Sequence, residues 1–352
     1  MPNDVAAFGD LAELPPAARA LFDRAPERDL FASPAWFETV RACGMAPDAA
    51  PRFVACGSPA QPVMLMPMQI AGGGRRLSSL TTPYTCRFQP LCDPDAGADP
   101  AALTAAFAAF ARYCRAWPTV RMDALDAEAP WLPLLLRGAA AAGLASRQFS
   151  HFGNWHEHVA GRDWAAYLAA RPGQLRETIR RRLARADRTG GRFELVTGGA
   201  ALEPGIAAYE AVYARSWKPA EPFPLFNAAL MRATAALGKL RLGLYWQAQQ
   251  PVAAQFWIVE HATATVLKLA HDEAAKAASP GTVLTALMLQ QILTHETIEQ
   301  IDFGRGDDPY KQLWANQRRE RIGVVLANPR YPGGLAFLGR HALGRARRAL
   351  AG

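Results

Sequence analysis

Two aspartates, an arginine and a lysine crowd into one short stretch of the chain: Asp302, Arg305, Asp307 and Lys311, with Asp308 and Tyr310 among them. Side chains of these types held together can move protons and balance charge. Asp307 is a candidate base, Lys311 can stabilise developing negative charge, and Arg305 can meet a phosphate or a carboxylate. A second candidate base, His271, ends the apolar run TVLKLA and precedes Asp272. Asp302 sits at the end of an apolar segment, where it orders a turn rather than reacts. Charge gathered at one strand end points to a site more than charge spread along a solvated face does.

The elements that must position these groups follow from the local pattern. Ile298, Ile301 and Phe303 give a short strand, and Gly304 and Gly306 free the backbone for a tight turn. Asp308 before Pro309 predicts a helix start. That helix would carry Tyr310, Leu313, Trp314 and Gln317 on one face and Lys311, Ala315 and Arg318 on another. Tyr310 on the apolar stripe reads as core as readily as it reads as a proton donor.

The stretch Ile301–Trp314, IDFGRGDDPYKQLW, resembles the DFGxGDxxYKxxW signature of bacterial proteins in the GNAT superfamily of N-acetyltransferases. Within it, the chain looks like the branch related to Fem-type peptidoglycan aminoacyltransferases and to CelD proteins found near exopolysaccharide genes. The resemblance implies an α/β (mixed α+β) fold of tandem GNAT-like domains, each a mixed, mostly antiparallel sheet flanked by helices. The expected division is 1–160 for a divergent first domain, 161–330 for the acyltransferase domain and 331–352 for a basic terminal helix.

The implied activity is N-acyl transfer from a thioester donor, acyl-CoA or acyl carrier protein, to an amine acceptor that is a small molecule or a lipid. Lipid or sphingolipid, cell-envelope and exopolysaccharide synthesis are the settings it implies. Such transfer needs a neutral amine, a stabilised oxyanion and a protonated thiol. Lys311 resembles the catalytic lysine of Fem-type enzymes, and Tyr310 would donate to the thiolate. The alternatives are Fem-like transfer of an amino acid from tRNA, and a non-catalytic GNAT-fold scaffold in polysaccharide assembly. Asp307, Tyr310 and Lys311 occurring together argue against the scaffold.

Ser279-Pro280-Gly281-Thr282 opens an amphipathic helix whose free N–H groups suit an anion. By the resemblance this is where coenzyme A pyrophosphate would lie, with Arg305 as a further donor contact. The chain keeps only Gly281 of the superfamily's Q/R-x-x-G-x-G/A loop, which leaves acyl-CoA, carrier protein and aminoacyl-tRNA open as donors. Without such a ligand it is a capped core helix.

Trp217 and Lys218 precede a proline-rich loop that could wall an acceptor pocket, and packing explains Trp217 equally well. Pro172–Arg188 reads as a helix with Leu175, Ile179 and Leu183 inward. Arg176 and Arg180 share one flank, and Arg181, Arg185 and Arg188 another. The flank fits either solvent or the oxygens of phosphates or an acidic carrier.

Upstream, the order helix (30–42), strands (52–57, 62–70, 76–82), helix (99–116), strand (120–125), helix (131–143), strand (144–152) predicts an α/β layer without a catalytic cluster. Strands at RLGLYWQ, VAAQFWIVEH and TVLKLAHD, joined tightly, are the clearest β signal. His151, His156 and His158 lack a nearby cysteine or HExxH spacing, so they read as polar residues on an exposed strand, with no metal.

With 352 residues the chain suits two domains. Its 39 basic against 31 acidic residues admit nucleic acid, anionic lipid or an acidic donor as partner. Five scattered cysteines without CxxC spacing, no signal-peptide pattern and no apolar run near 20 residues predict a cytoplasmic protein. A helix expected over Leu335–Leu350 carries Arg340, Arg345, Arg347 and Arg348. It would either pack on its own domain or lie on the anionic inner-membrane surface.

Overall fold

In a computed structural model, which describes residues 4–24, 29–58, 61–93 and 100–340, the chain divides into two units. One comprises Met1–Phe152 with Glu320–Gly352, the other Gly153–Arg319.

The first unit contains β1 (Val5–Phe8), α1 (Pro16–Arg24), α2 (Pro34–Cys43), β2 (Ala50–Ser58), β3 (Gln61–Ala71), β4 (Arg76–Ser79) and β5 (Leu91–Cys92). It continues through α3 (Pro100–Cys114), β6 (Thr119–Asp126), α4 (Leu132–Ala141) and the start of β7 (Ala145–His158). Ser33 caps α2 by accepting from the Trp36 N–H, and Pro34 fills the first turn. Phe107 and Phe110 of α3 are fully buried with Met64, Met66, Met68, Val120 and Met122 of the strands. Each such side chain contributes about 1.5–3 kcal/mol of burial.

The second unit runs from α5 (Trp164–Ala169), α6 (Gly173–Arg188), β8 (Arg192–Val196), α7 (Leu202–Ala214) and α8 (Phe226–Ala236) to β9 (Leu240–Gln247) and β10 (Gln250–Glu260). Then come β11 (Thr263–His271), α9 (Pro280–His295), β12 (Gln300–Asp302) and the start of β13 (Gln317–Ala327). Leu284, Met288 and Ile292 of α9 pack on Tyr245 and Trp257.

The two sheets have the same topology. The first runs β1-β2-β3-β4-β6-β13 and the second β8-β9-β10-β11-β12-β7. In each, one pair is parallel, β4 with β6 and β11 with β12, and the other pairs are antiparallel. A helix precedes each second parallel strand, α3 before β6 and α9 before β12, as a parallel crossover requires. The expected fold of two mixed, mostly antiparallel sheets flanked by helices is present.

The units differ from the contiguous division at 160 and 330. From Arg321 onward β13 pairs with β6 of the first unit, and His156–His158 of β7 pair with β12 of the second. The segment after Pro309 is not the α-helix its pattern predicts but a 3-10 turn, Pro309–Leu313, that gives way to β13 at Gln317. His156 and His158 lie on a strand paired with β12; His156 is half-buried, and His158 is exposed as expected. Near the C-terminus residues 332–340 are helical. The remainder of the expected Leu335–Leu350 helix, including Arg345, Arg347 and Arg348, lies outside the described residues.

Gly138 lets α4 approach α3. A Cβ there would stand 2.9 Å from the Phe107 carbonyl oxygen, which is backbone and cannot move aside. Gly138→Ala should therefore cost about 1–3 kcal/mol, seen as a lower denaturant midpoint at unchanged slope. An unchanged midpoint would show that the helices are not in this contact.

Candidate active site

The site is built where two parallel strands part. Thr263–Thr265 of β11 pair with Gln300–Asp302 of β12, and the pairing ends there although β11 continues to His271. From Val266 to His271 the β11 edge has no strand partner on that side among the described residues.

β12 leaves the sheet through Gly304 (φ 63°) and Gly306 (φ 103°), conformations that side chains disfavour. The Asp302 carboxylate fixes the exit. It accepts from the Gly304 N–H and Asn154 Nδ2, each at 2.7 Å, and pairs with Arg319.

Lys311 closes the turn. Its buried ammonium donates to the carbonyls of Arg305 (2.8 Å) and Gly306 (3.0 Å) and stands 3.4 Å from the Asp308 carboxylate. That leaves it holding the loop rather than free in a cleft. The Asp308 carboxylate makes no capping bond to the 3-10 turn and faces Lys311 instead.

Asp307 points to the other side of the turn. Its oxygens take both Arg318 Nε and Nη2, at 3.0 and 2.8 Å, and Trp155 Nε1 at 2.6 Å. Gly153 makes room for this pair, since a Cβ there would come within 2.7 Å of the Asp307 carboxyl carbon. The Arg318 hydrogen bonds, then that of Trp155, hold the carboxyl below its usual range. A carboxylate so engaged is a weak base.

The wall opposite comes from the loop after α7. Trp217 is 50% exposed, and its ring lies 4.3 Å from that of His271. Lys218 Nζ sits 5.7 Å from the Trp217 ring centroid. On β11, Lys268 pairs with Glu221 at 2.6 Å, and Glu221 also accepts from Asn227 at 3.2 Å. The Trp217–His271 contact and the Lys268–Glu221 pair lay this loop against β11, and the charges of Lys268, Asp308, Glu221 and Lys311 act on Lys218. Tyr310 is 36% exposed. Desolvation, then the Asp308 charge, raises its phenol above the usual range, leaving a neutral donor.

At the end of β11, α9 starts at Pro280 with Ser279 in the left-handed region (φ 54°) and no side-chain cap. The N–H groups of Gly281 and Thr282 are thus the helix's orphan donors. Gly281 lies beside the His271 ring, where a Cβ would stand 3.3 Å from His271 Cδ2.

The structure therefore brings Trp217, Lys218, His271, Tyr310 and Lys311 around one strand divergence, with Ser279, Gly281 and Thr282 at its far end. It turns Asp307 away onto Arg318. Arg305 contributes its carbonyl to Lys311. Arg176 and Arg180 are exposed on α6, Arg180 paired with Glu177. Sequence reasoning missed Lys268, Glu221 and Arg318. A lysine inside the apolar run TVLKLA was the available signal for Lys268. Among the described residues no group of three or more His, Cys, Asp or Glu is placed to hold a metal ion. Nor is any helix among them long and apolar enough to cross a membrane.

Residues 173–312 match the family model described as an acetyltransferase (GNAT) domain. No curated protein matches the chain. Among solved structures, FemX superposes with a TM-score of 0.57 at 11% identity, over 87% of this chain and 94% of FemX. L-PGS from Bacillus licheniformis gives 0.52 at 13%, over 89% and 97%. The C-terminal domain of a candidate lysylphosphatidylglycerol synthetase from Agrobacterium fabrum gives 0.53 at 15%, over 92% and 97%. At these identities the likeness establishes a shared fold.

Lys311→Met should unlatch the turn. Two carbonyls and Asp308 lose a charged donor, at a cost of about 1–3 kcal/mol or more. Hydrogen exchange should speed up at 304–311 while the sheet stays protected. Unchanged exchange there would mean that the lysine does not hold the loop.

Proposed function

We propose that the chain is an N-acyltransferase that moves an acyl group from a thioester donor, acyl-CoA or acyl carrier protein, to an amine. The observation that carries this is the parting of β11 and β12, inside the stretch that matches the GNAT domain model. Beyond it the β11 edge has no strand partner on that side among the described residues, where an extended thioester arm would lie, and α9 supplies uncapped N–H groups at its end. The donor fits that frame: Gly281 and Thr282 N–H groups would meet its phosphates, and the β11 edge beyond Thr265 would pair with its amide-bearing arm. The turn Gly304–Lys311, latched by Asp302 and Lys311, keeps the opposite wall rigid, which an aligned attack requires. Tyr310, a neutral phenol, is available to protonate the leaving sulfur. Trp217 and Lys218 face the acceptor side.

The acceptor that suits this wall carries an apolar body beside its amine, because Trp217, Tyr310 and Leu313 are all exposed. A lipid amine is one such acceptor. Synthesis of a lipid or another envelope component at the cytoplasmic face of the inner membrane is the setting we assign.

A second reading, transfer from aminoacyl-tRNA, draws on α6. Arg176, Arg185 and Arg188 are exposed there and form no ion pair among the described residues, so they are open to a phosphate backbone. Raising salt should weaken binding steeply under this reading.

Purified protein given acetyl-CoA or a long-chain acyl-CoA and a panel of amines should release free thiol only when an amine is present. Amine-independent release, or none with any donor, would refute thioester transfer. Release only with aminoacyl-tRNA would select the second reading.

A further inference from the structure

Three charged groups around the β11–β12 divergence are already committed. Asp307 is held by Arg318 and Trp155. The Lys311 ammonium is spent on two carbonyls and Asp308. Lys268 pairs with Glu221, which also accepts from Asn227. His271 lies on Trp217, with Nδ1 3.2 Å from the Asp272 carbonyl oxygen. Lys218 is different. Among the described residues it forms no ion pair, and its Nζ stands over the Trp217 ring on a loop held against β11 by the Trp217–His271 contact and the Glu221–Lys268 pair.

Its surroundings explain its chemistry. Desolvation comes first, then the neighbouring Lys268 charge on β11, with Lys311 from the turn adding to it. Asp308 and Glu221 pull the other way without cancelling them. The amine is brought down from an ordinary lysine value to about 8. At neutral pH a useful fraction is then unprotonated, as a base requires. Two competing groups are engaged elsewhere: Asp307 is stabilised as its anion by Arg318 and Trp155, and Lys311 Nζ is held on the carbonyls of Arg305 and Gly306.

We infer that Lys218 is the catalytic base of the transfer, taking the proton shed by the acceptor nitrogen as that nitrogen attacks the thioester carbonyl. The N–C bond forms and the C–S bond breaks. The proton passes to Lys218 Nζ, and the sulfur leaves as a thiolate that recovers a proton, so that amide and thiol are the net products. The assignment rests on the acyl-transfer reading above, but its physical premise can be measured without any substrate.

The full-length protein is trace-labelled with acetic anhydride over a pH series, and the extent at each lysine is read by peptide mass spectrometry. Lys218 should label with a midpoint near 8, whereas ordinary lysines titrate near about 10.4. A Lys218 midpoint coinciding with the other lysines overturns the inference. In the thiol-release assay Lys218→Arg keeps the charge but cannot give up a proton at these pH values. It should lower kcat by about 10²–10⁴-fold with KM little changed, and remove the limb of the pH–rate profile near 8. Full activity of Lys218→Arg overturns the base role alone. Absence of thiol release by the unaltered protein instead removes the acyl-transfer reading, and the base role with it.

Discussion

The second unit depends on a parallel pair that is allowed to be only three residues long. Two strands pairing in parallel would ordinarily zip as far as both extend, because every unpaired buried backbone group costs free energy. Here β12 is forced out of register at Gly304 by a left-handed turn, and Asp302 stabilises that exit by accepting the Gly304 N–H. What remains is an open β11 edge, a rigid facing turn, and an uncapped helix at the end. The chemistry assigned to this chain occupies that gap.

Keeping the gap open requires charges in places where charges are expensive. The Lys311 ammonium is buried, and desolvation works against it. Two carbonyls and Asp308 offset this, and the net result is a turn pinned at both ends. The chain beyond is anchored by a second buried pair. Glu157 and Arg171 are both almost fully buried. Arg171 and the Tyr167 hydroxyl both donate to the Trp314 carbonyl. Such pairs add little net stability, but removing one partner costs about 3–5 kcal/mol. They specify one path for the chain more than they strengthen it. The first unit shows the alternative outcome. Its parallel strands β4 and β6 also part after two residues. There the chain's own loop fills the space, with Tyr84, Thr85 and Phe88 buried and the Phe88 N–H donating to the Ala124 carbonyl.

Much of this was legible in the amino-acid order, and the exceptions share a cause. Alternation and tight turns mark β9 to β11, Ser33-Pro34 marks the start of α2, and Leu175 and Ile179 mark the inner face of α6. These signals are local. The pattern after Pro309 is equally local, yet it misleads. Tyr310, Leu313 and Trp314 have helical spacing, but the Lys311 ammonium turns back onto residues 305 and 306, and the chain leaves as a strand at Gln317. The apolar period of Val324 and Leu326 shows a strand without showing that its partner is β6, some two hundred positions earlier in the chain. Lys218 and Asp308 are ninety residues apart, and only the folded sheet puts one within reach of the other's charge. Asp307 reads as a base because nothing nearby in sequence announces that Arg318 and Trp155 will claim it.

The central claim is that a thioester donor lies in the β11–β12 divergence. Hydrogen exchange of the full-length protein with and without a saturating, non-transferable acyl-CoA analogue tests it most directly. Protection should be confined to three segments: the β11 edge at 266–271, the start of α9 at 281–284, and the turn at 304–308. Protection of the first unit alone, or none at these segments under saturating ligand, would contradict it.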